Sequence, residues 1–167
     1  MSEHLKSRLA QHRVARARLE WLQHFKSVCS PDVKDSDFLT DDEADAISGA
    51  FYGKLRSGVG LWSGEYHTDD PSEIFEVLQS VGERFHDERA VFLQTGLGAI
   101  EVSVRPVFAH AVDLWKPEKH DFCVVSRDLV SGLCAERNFW QGSGTRHDKP
   151  YFEIHAWGSF VPVGSAH

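Results

Sequence analysis

The sequence lacks most of the signatures from which an activity is usually read. Cys29, Cys123 and Cys134 form no C-x-x-C pair, which removes a thioredoxin-like redox motif and a cysteine zinc knuckle. Two of them fall in predicted strands, where a free thiol behaves as a small buried hydrophobe, and a reducing compartment is implied. Ten histidines are present, yet there is no H-E-x-x-H, no H-x-H and no EF-hand loop, so no metal site is written into local spacing. No G-x-S-x-G elbow exists for a hydrolase nucleophile. The glycines at 58, 60 and 64 fit neither the phosphate-cradling P-loop nor the dinucleotide fingerprint. No run approaches the ~20 apolar residues of a membrane span, and the charged start from Glu3 onward lacks the roughly 7–15-residue apolar core of a signal peptide. The expected location is the cytoplasm.

Positive charge is also scarce. The formal net charge is −7, which argues against a nucleic-acid backbone or an anionic membrane as partner, since both require a basic surface. Residues 1–29 carry six basic side chains (Lys6, Arg8, Arg13, Arg16, Arg18, Lys26) against Glu3 and Glu20, a local +4 that leaves −11 on residues 30–167. A basic protein is the natural complement of such a body.

What is present fits one domain spanning 1–167, in three parts. Residues 1–29 read as a basic amphipathic helix, with Leu5, Leu9, Val14, Ala17, Trp21, Leu22, Phe25 and Val28 at helical spacing; it is expected to pack on the acidic body. Residues 38–86 form a helical part. Its first helix opens on the capping box Thr40-Asp41-Asp42-Glu43, its second on Asp70-Pro71-Ser72-Glu73, with Ile74, Phe75, Leu78, Val81 and Phe85 inward. Between them the segment 57–69, rich in glycine, reads as irregular or as a short edge strand.

Residues 91–160 form the sheet part: strands at 91–95, 99–105, 121–126, 132–140 and 151–157, with a helix from Pro106 to Lys116 whose Phe108, Ala111, Val112 and Trp115 point inward. The short connection at Gly96-Leu97-Gly98 favours antiparallel pairing. The fold expected is α+β, a mostly antiparallel five-stranded sheet over about 91–158 with the N-terminal helices packed on it.

Alternation divides that sheet into two faces. Ile100, Val102, Val104, Phe152, Ile154 and Ala156 form a core face; Glu101, Glu136, Asn138, Trp140, Tyr151, Glu153, His155 and Trp157 point the other way. Aromatics amid carboxylates suit a basic protein partner, because the aromatics supply desolvated anchors and the charges speed encounter. The candidate partner-binding residues are therefore Trp62, Glu65, Tyr66, Glu101, Glu136, Tyr151, Glu153, His155 and Trp157; no catalytic, cofactor-binding or metal residue is assigned. The competing reading makes these aromatics a second layer of core beneath the N-terminal helix or the Trp62 segment. His147-Asp148, in a polar loop, and His155 read as surface or packed residues, and Ser126-Arg127-Asp128 as a turn.

The order of features, from FLTDDEADAI through AVFLQTGLGAIEVSV and FCVVSRDLVSGLCAERNFW to YFEIHAWG, resembles the YxiF-like small cytoplasmic immunity proteins that accompany bacterial polymorphic or contact-dependent toxins. The likeness runs over most of residues 38–158. It implies a non-enzymatic inhibitor that binds a cognate toxin domain, often a nuclease with a basic groove. The alternative from another class is a small hydrolase or metal-dependent enzyme whose histidines and carboxylates meet only in the fold, with His155, His110 or His147 beside Glu153 or Asp128. An adaptor for some other basic partner shares the interface of the first reading. Oligomeric state is left open.

Overall fold

A computed structural model describes residues 3–68, 70–94, 97–116, 119–139 and 150–163. Helix α1 (Glu3–Val28) is followed by a 3-10 turn at Asp35–Asp37, α2 (Asp41–Ser57), strand β1 (Trp62–Tyr66), α3 (Ser72–Gly82), β2 (Arg89–Gln94) and β3 (Gly98–Ser103). Then come α4 (Val104–Ala109), α5 (Ala111–Leu114), β4 (Phe122–Val125), β5 (Gly132–Phe139), β6 (Pro150–Trp157) and a 3-10 turn at Gly158–Phe160. Six strands form one sheet in the order β1-β6-β5-β4-β2-β3, every neighbouring pair antiparallel. The α+β class and the five expected strands are present. The sixth, β1, extends the sheet at the β6 edge.

The first face of the sheet carries the larger core. Phe92, Ile100, Phe122, Val124, Leu133, Phe152 and Ile154 meet Leu22 and Phe25 of α1, Ile74, Leu78 and Val81 of α3, and Val107, Phe108, Ala111 and Trp115 from the α4–α5 region. Its rings touch edge-to-face and tilted, as at Phe108–Phe122 and Trp115–Phe152, contacts that add to area burial. The helix expected from Pro106 begins at Val104 and breaks at His110. That break turns Val112 outward, 57% exposed, and puts Leu114 in the core.

Among the described side chains, helix α1 buries only those of its C-terminal half. Trp21 stacks on Phe92, and Leu22 and Phe25 are buried, whereas every side chain described from Arg8 to Arg16 is exposed. The expected stripe is thus half used. Arg18 bonds Asp41 and the Leu97 carbonyl, and Arg16 bonds Glu20.

Helix α2 covers part of the second face. Phe51 and Ala44 lie over Val91, Leu93, Ala99, Cys123, Val125, Cys134 and Trp157. Its start is the box read from sequence: Thr40 Oγ1 accepts from the Glu43 N–H at 3.3 Å, and Glu43 Oε2 accepts from the Thr40 N–H at 3.1 Å. The Thr40 hydroxyl, donating to Glu43 Oε2 at 2.9 Å, and then the Thr40 N–H hold the Glu43 carboxyl below its ordinary range. A depressed folded pKa contributes stability that is complete above the unfolded carboxylate range and lost as pH falls through the folded value. Thr40→Ala is expected to cost about 1 kcal/mol at neutral pH, a deficit that shrinks in acid as the Glu43 carboxylate is protonated while the part from the cap bond to the Glu43 N–H remains, checked by urea melts across the carboxylate range.

Candidate functional site

The second face has an open half, beyond the reach of α2, built from β1, β6 and β5. The register fixes its contents: Ser63 lies opposite His155, and His155 opposite Cys134; one step along, Glu65 lies opposite Glu153, and Glu153 opposite Glu136. Directly opposed residues share a face, so three glutamates run in line across three strands. Asp121, just before β4, lies next along: Phe122 pairs with Ala135, and burial first, then the Glu136 charge, raises the Asp121 pKa.

His155 sits inside this row. Its Nδ1 is 2.7 Å from Ser63 Oγ, and its Nε2 is 3.3 Å from Glu153 Oε1 and 3.7 Å from Glu136 Oε1. The Asn138 amide donates to Glu136 Oε1 at 3.0 Å and to Glu153 Oε2 at 3.3 Å. The proximity of Glu136, 3.7 Å from the ring, pushes the histidine up, and the histidine pushes that carboxyl down, from their ordinary values. The side chains are partly sheltered, 22% exposed for His155, 20% for Glu153 and 30% for Glu136. Tyr151 flanks them, its ring 5.7 Å from that of His67, which in turn lies 3.4 Å from Glu65.

Of the nine candidate residues, Glu65, Glu136, Tyr151, Glu153 and His155 come together here. Trp62 and Tyr66 do not: they pair with Ala156 and Phe152 and pack against the first-face core. Strand period puts them opposite Glu65, and that signal was already present in WSGEY. Trp157 is on the expected face but buried beneath α2, 5% exposed, its ring 5.5 Å from that of Phe51 and its indole N–H donating to the Leu129 carbonyl. Glu101 lies toward the opposite edge, tied to Arg89 and to Arg127, which also binds Glu43. Its charge is already answered within the chain. Trp140, His147 and Asp148 fall outside the described residues.

Ser63, Asn138 and Asp121 were not among the candidates. Ser63 shares a face with Glu65, and Asn138 with Glu136, two residues apart on their strands; only the register brings Ser63 to His155 and Asn138 to Glu153. A cavity of about 360 Å³ is lined by Ala44, Ser48, Tyr52, Leu93 and Gln94 rather than by the carboxylate row, which is surface.

No family model, no curated protein and no solved structure matches the chain. Among the described residues no helix is long and apolar enough to cross a membrane.

Proposed function

We propose that the protein is a cytoplasmic, non-catalytic inhibitor of the immunity type, binding a basic toxin domain through the row Glu65–Glu153–Glu136–Asp121. One observation carries this reading. Like charges directly opposite on neighbouring strands destabilise a sheet, and here the opposition is repeated across β1, β6 and β5. Helix α2 leaves Glu65, Glu153 and Glu136 partly exposed, and their neighbours His67 and His155 carry positive charge only when protonated. Lysines or arginines of a partner would relieve that repulsion on docking, and the surrounding negative field would speed their approach. A nuclease-type toxin domain with a basic groove is the partner such a surface fits. The reading requires a gene for a basic toxin-like domain beside this one; co-expressed with that domain, the wild-type chain restores growth, Glu153→Lys loses protection and Glu65→Lys reduces it.

A second reading, the small hydrolase, is favoured by the contact chain Ser63–His155–Glu153, which brings His155 beside Glu153. Here the carboxylates face Nε2 and the hydroxyl faces Nδ1, and β5 and β6 spend backbone donors on ladder bonds that an oxyanion hole would need. An active-site fluorophosphonate probe decides it. On the inhibitor reading Ser63 stays unlabelled; labelling that requires His155 would establish the hydrolase instead.

A further inference from the structure

We propose a divalent metal site of the zinc class on this face, with Glu136, Glu153 and His155 as its three protein ligands. This goes beyond the docking reading and does not depend on it. The donor set is mixed, one imidazole nitrogen with two carboxylate oxygens, and these ligand atoms lie within 4.8 Å of one another. Zinc binds nitrogen and carboxylate oxygen at about 2.0–2.2 Å. In a tetrahedron of that bond length, neighbouring ligand atoms are separated by about 3.3–3.6 Å. The distances from His155 Nε2 to the two carboxylates, 3.3 and 3.7 Å, are already close to those edges. An ion could enter with small side-chain adjustments.

The surroundings orient all three ligands toward one point. Ser63 Oγ can accept from Nδ1–H at 2.7 Å, so that an ion replacing the proton on Nε2 meets a lone pair directed at the carboxylates. A ligating histidine usually has its other ring nitrogen bound in this way. Asn138 donates to both Glu136 and Glu153 and fixes their relative positions. The side chains stand on adjacent strands of one sheet, a rigid support, and their partial exposure gives an ion a route in and leaves a fourth position open to solvent. Three protein ligands with one open position is the arrangement of an accessible rather than a closed structural zinc site. Elsewhere on the same face, Cys123 and Cys134 meet at 3.4 Å with Asp121 nearby. Both thiols are fully buried, so the open site is the one an exchanging ion reaches.

The experiment is calorimetric titration of zinc(II) into full-length, tag-free, metal-stripped protein, repeated with cobalt(II) to read the coordination from its visible absorption. One equivalent is expected to bind the wild type, with cobalt giving a low-coordinate spectrum. Glu153→Gln and His155→Gln should each abolish that equivalent, and Ser63→Ala should weaken it by about 10–100-fold. Glu101→Gln, on a carboxylate already paired with two arginines, should leave it unchanged. Absence of binding by the wild type overturns the site, as does wild-type affinity in folded His155→Gln. Should His155→Gln fail to fold, Glu153→Gln decides, and undiminished binding there is equally fatal. Glu65→Gln separates the two readings, because Glu65 is no ligand and glutamine sets no cation beside Glu153: it should slow partner docking and keep the zinc equivalent.

Discussion

Trp157→Ala is expected to destabilise the fold by about 3–5 kcal/mol, the range for deleting a buried aromatic side chain, read as a lower urea midpoint. Three losses combine. The indole is 5% exposed and packs on Phe51, so its removal opens a cavity between α2 and the sheet. The Leu129 carbonyl loses its indole donor. Gly132, directly opposite on β5, is closely covered by the same ring, and a Cβ there would collide with it. The turn around Leu129, which has a positive φ of 62°, loses its packing partner at the same time. A Trp157→Ala protein with wild-type stability and weakened partner binding would restore the exposed-anchor reading of this residue and refute its place in the core.

Trp157 also shows how far a sequence can be followed. Period-2 alternation in YFEIHAW correctly separates Phe152, Ile154 and Ala156 from Tyr151, Glu153, His155 and Trp157, because side-chain direction in a strand is a local property. Whether the second set is wet is not local. It depends on where α2 lies, and α2 covers Trp157, Cys134 and Cys123 while leaving Glu153 and His155 open. The N-terminal helix, expected as a possible cover, packs on the first face instead. Capping was legible for the same reason as alternation: Thr40 and Glu43 are three residues apart and satisfy each other without help from the rest of the chain. The site was half legible. Glu136, Glu153 and His155 lie on one face of their strands, but Ser63 reaches His155 from 92 positions away, a contact that only the pairing of β1 with β6 creates.

The second large effect is on binding, and it should separate from stability. Glu153 is the middle member of the row, opposed by Glu65 on one side and Glu136 on the other. Glu153→Gln keeps acceptor capacity toward Asn138 while removing one like charge, so the isolated protein should be unchanged or more stable by about 0.2–1 kcal/mol. Reversal to lysine should weaken a basic partner by about 2–5 kcal/mol, the cost of breaking a sheltered interfacial charge pair, a loss of roughly 30-fold or more in affinity. Glu65 is 59% exposed, and there the lysine should chiefly slow association and reduce its dependence on salt, as expected of a rim charge. Purely structural carboxylates would behave in the opposite way, with binding and stability falling together, and that outcome in thermal melts paired with binding measurements would overturn the docking surface. A row of opposed glutamates costs the folded chain stability; its retention is explained if the compensating charge arrives with the partner.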